Sequence, residues 1–272
     1  MTQRRILITG ASRGLGAMMA QMLAAPNVTL FLCARDLSRL ERVALSYRKK
    51  GASVFCACVD VADRVAVSEW VEAVWADAPV DLAIFNAGIF EGRTEDGSLE
   101  HPEIAAQIIA TNLNGAVVPA LVLAEHMRRA GKGEMLFVSS LAAVTPLSDA
   151  PSYCASKAGL TAFARALRED LCSFGVRVVI AHPGHIETDQ TLRHKGAMPG
   201  IVSAEDAATR ILRGLNQGRS EIAFPGYLLL GLRCLRMLPW RWQKWINARY
   251  RFVVSRTGDA REIHNTVRNR AD

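Results

Sequence analysis

The chain has 272 residues, half of them hydrophobic and 22% charged, which supplies a large core and excludes wholesale disorder. Its net charge of +7 is uneven: residues 219–272 hold 11 Lys and Arg against 4 Asp and Glu, leaving 22 of each sign in residues 1–218. A neutral body argues against nucleic-acid binding, which needs a basic face on the main domain. Six cysteines in a chain of this length do not make a disulfide framework, and Cys33, Cys56 and Cys58 in apolar surroundings fit reduced thiols of a cytoplasmic protein. No apolar run is expected to reach the roughly 18–20 residues that span a bilayer. No signal-peptide core follows Arg4 and Arg5.

Short β-rich apolar runs alternate with longer helical patterns. Strands are expected at 5–9, 28–34, 53–59, 81–85, 134–139, 176–181 and 221–224. Helices are expected near 14–25, 38–50, 64–77, 101–130, 152–174 and 203–217. Strands as continuously apolar as Arg5-Ile-Leu-Ile-Thr9 predict burial on both faces. The alternation then predicts an α/β fold: a doubly wound parallel sheet of about seven strands with helices on both faces. Residues 1–225 read as one domain, and 226–272 as a basic, Trp-rich helical extension.

The first strand runs into Thr9-Gly10-Ala11-Ser12-Arg13-Gly14-Leu15-Gly16, just ahead of a helix. Glycines at this spacing permit a tight turn and let backbone amides approach a pyrophosphate at the helix N-terminus. A dinucleotide is therefore expected here. In an NAD site an acidic residue near the tip of the second strand binds the ribose 2′-hydroxyl. This chain has Ala34 at that tip with Arg35 directly after it. Arg35, with Arg13 from the glycine loop, suits a 2′-phosphate, so NADP(H) is preferred over NAD. Asp36 is the counter-argument, unless it caps the following helix.

Further along, Tyr153 and Lys157 stand at i and i+4 on one helical face. A free tyrosine, with a pKa of about 10, is a poor acid–base group at neutral pH. A nearby ammonium and a positive nicotinamide ring are expected to stabilise the phenolate and lower that value. Strand 134–139 ends in Val138-Ser139-Ser140, at the sheet edge where ligands of open α/β folds sit. A hydroxyl there could polarise a carbonyl.

Taken in order, these residues resemble the short-chain dehydrogenase/reductase family in its single-domain, Rossmann-type form, over nearly all of residues 4–225. The motifs that carry the resemblance are the glycine loop, Asp60-Val61, Asn86-Ala87-Gly88, Asn112, Ser140, Tyr153, Lys157 and the stretch Pro183-Gly184-His185-Ile186-Glu187-Thr188. One departure is a single alanine before the glycine of Asn86-Ala87-Gly88, where the family often has two. The resemblance implies roles. Tyr153 would be the acid–base of a carbonyl/alcohol interconversion. Lys157 would hold the nicotinamide ribose, Ser140 would orient the substrate oxygen, and Asn112 would place a water in a proton relay. Gly10, Ser12, Arg13, Gly14, Leu15, Gly16, Arg35, Asp60, Val61, Asn86, Ala87 and Gly88 would contact the cofactor. Pro183, Gly184, Ile186 and Thr188 would flank its nicotinamide. It also implies a homodimer or homotetramer.

Residues 189–200 read as a mobile, polar lid; its Arg193, His194 and Lys195 could meet an anionic substrate, though a solvated loop surface is the preferred reading. No companion ligands at usable spacing suggest a metal around His182 and His185. In the extension, Leu228–Leu238 form an apolar helix carrying Arg233 and Arg236. A second helix after Pro239 sets Trp242, Trp245, Ile246, Phe252 and Val253 on one face, against Arg241, Lys244 and Arg251. Two readings stay open for 227–254: packing over the substrate cleft or a subunit interface, or peripheral contact with an anionic membrane. Residues 255–272 are polar and expected to fray.

Overall fold

The computed structural model describes residues 3–93, 98–146, 149–188, 191, 194–195, 198–247 and 253–254. Arg193, Arg251, Phe252 and residues 255–272, which figure in the expectations for the lid and the tail, lie outside the described residues.

The chain opens as β1 (Arg4–Thr9), α1 (Gly14–Leu23), β2 (Val28–Ala34), α2 (Leu37–Lys49), β3 (Ser53–Cys58), α3 (Arg64–Asp77) and β4 (Leu82–Phe85). There follow α4 (Pro102–Ile109), α5 (Gly115–Ala130), β5 (Gly133–Val138), α6 (Pro151–Leu171) and β6 (Val176–Pro183). Three two-residue strands, β7 (Ile186–Glu187), β8 (His194–Lys195) and β9 (Val202–Ser203), precede α7 (Ala204–Asn216) and β10 (Glu221–Phe224). The chain then gives α8 (Gly226–Met237), α9 (Trp240–Asn247) and β11 (Val253–Val254). Seven parallel strands form one sheet in the order β10-β6-β5-β4-β1-β2-β3. β7 pairs with β9, and β8 with β11.

The central strands are buried throughout because both faces are covered. Ile6, Ile8, Leu30, Leu32 and Ile84 point to one side, against α1, α2 and α7. Leu7, Phe31, Phe85, Phe137 and Ile180 point to the other, against α3, α5 and α6. Phe85 and Phe137, opposite in register, stack with centroids 4.8 Å apart. Helix starts are set by side chains: Asp36 accepts from the Arg39 amide at 2.9 Å, Asp63 from those of Val65 and Ala66, and Ser203 from that of Asp206. Gly131, at φ 66, ends α5 in a left-handed turn.

One expectation is overturned. Residues Pro102–Ala130 form a continuous 29-residue helical rod, long and apolar enough to cross a membrane by length and composition. Its buried face explains the apolar content: Ala116, Ala120, Leu123 and Met127 pack into the core against α3 and α6. The rod is also not one regular helix, because Ala110–Asn114 winds as a π-turn.

Candidate active site

Parallel strands put all their C-terminal ends along one edge, so the loops leaving β1, β2, β4, β5 and β6 meet there. They enclose a cleft of about 830 Å³. All the residues proposed from the sequence for cofactor and catalysis line it, except Gly16 and Asn112, which sit behind its wall.

The glycine loop is held against β4. Thr9 Oγ1 accepts from the amides of Asn86 and Ala87 at 3.1 and 3.2 Å, while Asn86 Nδ2 donates to the carbonyls of Thr9 and Gly10 at 3.2 and 3.1 Å. Gly10 has φ 68, and a Cβ there would stand 2.7 Å from Ala87 Cα. A Cβ on Gly16 would collide with the Gly10 carbonyl and the Asn86 amide. Only glycine lets α1 start this close to the strand edge. A shallow, glycine-lined ledge at a helix N-terminus, with Asp60 and Val61 beyond it, fits the diphosphate and adenosine of a dinucleotide. Arg13 and Arg35 line its solvent side, both exposed. The Asp36 carboxylate is engaged as the cap of α2.

At the other end of the cleft α6 delivers Tyr153 and Lys157. Lys157 is buried and its Nζ donates to the Val138 carbonyl at 2.9 Å, 5.9 Å from the centroid of the Tyr153 ring. Burial pushes the Lys157 ammonium down to about 8. Burial pushes the Tyr153 hydroxyl up to about 12, against the opposing pull of its hydrogen bond with Ser140. The lowering expected from the sequence is tied to a bound, positively charged nicotinamide as well as to the ammonium. In the chain alone desolvation by burial outweighs the hydrogen bond from Ser140. Phe90 meets Tyr153 edge-on at 4.9 Å and fixes its ring.

The two serines separate cleanly. Ser139 Oγ turns into the protein, donating to the Lys157 carbonyl at 3.1 Å and lying 2.8 Å from Thr161 Oγ1. Ser140 Oγ accepts from the Ala142 amide at 3.1 Å and faces Tyr153. Asn112, in the π-turn and fully buried, clamps Ile89: its Oδ1 accepts from the Ile89 amide at 2.7 Å and its Nδ2 donates to the Ile89 carbonyl at 2.8 Å. Nδ2 also reaches Ser156 Oγ at 3.2 Å.

Sequence reasoning missed most of the substrate-side wall. Phe90, Leu141 and Thr145 line it from the body, while Leu228, Leu232 and Leu235 line it from α8. Thr145 Oγ1 ties the two together by donating to the Leu232 carbonyl at 3.0 Å. The leucines were legible as apolar, but not which side of α8 turns inward. The backbone of His194 and Lys195 forms β8, and their side chains lie outside what the structure describes. His182, buried behind the cleft and 3.5 Å from Glu221, has its imidazole pushed down by burial. Among the described residues no group of three His, Cys, Asp or Glu could hold a metal.

The chain matches the family described as short chain dehydrogenase over residues 4–196. It is 33% identical over 240 residues to an uncharacterized oxidoreductase of Myxococcus xanthus, covering 88% of this chain and 94% of that protein. Among solved structures it superposes with TM-score 0.75 on a Sphingobium yanoikuyae short-chain dehydrogenase in complex with NADPH, at 22% identity, covering 90% and 93% of the two chains. It superposes with TM-score 0.70 on a Mycobacterium paratuberculosis short chain dehydrogenase bound to NAD, at 21% identity, covering 82% and 96%. At those identities the two likenesses bear on the fold alone. The family match, the relative and the ordered motifs around this cleft agree: the chain belongs to the short-chain dehydrogenase family of oxidoreductases.

Proposed function

We propose that the protein is an NADP(H)-dependent oxidoreductase that interconverts a carbonyl and a secondary alcohol, with Tyr153 as the acid–base. The observation that carries this reading is the convergence of Tyr153, Ser140 and Lys157 at one end of a cleft whose other end is the glycine ledge. The dinucleotide, when bound, supplies or accepts the hydride. The protein's own residues do the rest. Ser140 Oγ and the Tyr153 hydroxyl hydrogen-bond the substrate oxygen and orient its carbon. A Tyr153 hydroxyl pushed up to about 12 keeps its proton at neutral pH, the form needed to protonate an alkoxide as a carbonyl is reduced. The Lys157 ammonium offsets the charge left on the phenolate. Asn112, through its clamp on Ile89, positions the loop beside Lys157.

NADP is favoured over NAD by two features. Arg35 stands exposed at the tip of β2 beside the ledge, and the carboxylate that would prefer a free ribose 2′-hydroxyl is occupied as a helix cap. On this reading the protein works as a homodimer or homotetramer on a small carbonyl or alcohol substrate.

Replacing Tyr153 with Phe is expected to lower kcat by about 10²–10⁴-fold with dinucleotide affinity retained. Full activity in that variant across a carbonyl panel overturns the mechanism. Arg35→Ala is expected to weaken NADPH about tenfold and to leave NADH unchanged, the size of one charge-assisted contact. Equal weakening of both removes the 2′-phosphate assignment.

A further inference from the structure

Helix α8 has two apolar sides, and only one is accounted for. Leu228, Leu232 and Leu235 face the cleft. The opposite side carries Leu230, Arg233 and Met237 in one stripe, spaced i, i+3 and i+7, with Arg236 next to it. Leu230 and Met237 stand 64% and 86% exposed. Helix α9 continues the surface: Trp240, Trp242 and Trp245 are each more than half exposed, alongside Arg241 and Lys244. Three tryptophans in six residues, turned to solvent, make an apolar patch that a folded domain ordinarily buries.

The charge of this surface narrows what covers it. No acidic residue lies between 226 and 247, while Arg233, Arg236, Arg241 and Lys244 are all exposed there. The first 218 residues are neutral, so these four cations are more than half of the chain's net charge of +7. Exposed indoles interleaved with cations match the headgroup layer of an anionic bilayer. The rings sit at the apolar boundary, and the cations meet phosphates on long stems.

The same helices frame the entrance to the cleft. Tyr227 and Leu238 both line it and stand exposed at its rim, and Ile246 of α9 lines it as well. We propose that the outer face of α8 and α9 docks on an anionic lipid surface, so that the cleft takes a carbonyl or alcohol substrate that partitions into the bilayer. The substrate half of this statement rests on the carbonyl chemistry proposed above; the docking half does not.

The test is flotation of the full chain with phosphatidylcholine vesicles, with and without phosphatidylglycerol, beside the double variant Met237→Glu, Trp242→Glu. Neither side chain lines the cleft, so the variant should melt as the wild type does and bind NADPH equally. Expected is partitioning of the wild type onto the phosphatidylglycerol vesicles, weakened by salt, and at least tenfold weaker partitioning of the variant. No flotation of the wild type, or equal flotation of both, overturns docking. So does a variant that merely falls from oligomer to monomer in sedimentation velocity, because the patch is then an interface between copies of the chain. Turnover is not needed for this readout, so failure of the carbonyl chemistry would leave it standing. The substrate half is read separately, with a long-chain ketone dissolved in the vesicles against a short water-soluble ketone. The variant should lose at least tenfold on the first and keep its rate on the second, and equal rates on both overturn it.

Discussion

Lys157 shows what the active site costs the fold. Burial holds its ammonium down to about 8, from an ordinary value of 10.5, and its Nζ donates to the Val138 carbonyl. The unfolded chain therefore binds more protons than the native one between about pH 8 and 10.5, so this residue makes stability rise with pH across that window. Below it the native state bears the full cost of a desolvated charge. Lys157→Met should stabilise the protein most near neutral pH. Its advantage over wild type in thermal melting should shrink as pH climbs toward 10.5. The lost donor to Val138 adds an offset independent of pH, so the slope is the readout. A constant difference across the window would mean that the ammonium is not desolvated.

At the scale of elements, side-chain caps decide where helices begin, and one of them bears on cofactor choice. Asp36 accepts the Arg39 amide, and Asp36→Ala should cost about 1 kcal/mol in urea denaturation, as N-caps do. It should leave the ratio of NADPH to NADH affinity unchanged; a swing toward NADPH would show that the carboxylate had been reading the ribose. Elements of this kind were legible in the sequence because their signals are local. Strands β1, β2 and β10 fall where short apolar runs put them, and α2, α3 and α7 start after a capping Asp or Ser. The break at Ala110–Asn114 was not legible. A π-turn needs one extra residue in a helix and leaves no compositional mark, and it is paid for here by the Asn112 clamp on Ile89. Likewise, Leu228, Leu229 and Leu230 give α8 leucine on every side, so its inward face is chosen by the cleft and not by its own pattern.

Over the whole molecule, the extension contributes little to the core. Within α8 only Leu235 is buried, and one hydrogen bond joins Leu232 to Thr145. Ending the chain at Pro225 should cost at least about 2–4 kcal/mol, the sum of one buried leucine and one hydrogen bond, with the β8–β11 pairing lost as well. Dinucleotide binding should survive, because the ledge and its flanking residues all precede residue 189. Loss of NADPH affinity in that shortened chain would show that α8 and α9 brace the ledge itself. The strand order also has a temporal consequence. β1, β2, β3 and β4 lie side by side and are complete by Phe85, whereas the strand that carries Pro183 docks on the opposite flank of β5. A nascent chain leaving the ribosome could therefore close the adenosine half of the cleft some hundred residues before β6 brings up the nicotinamide half, and cofactor present during synthesis would meet a receptor still half made.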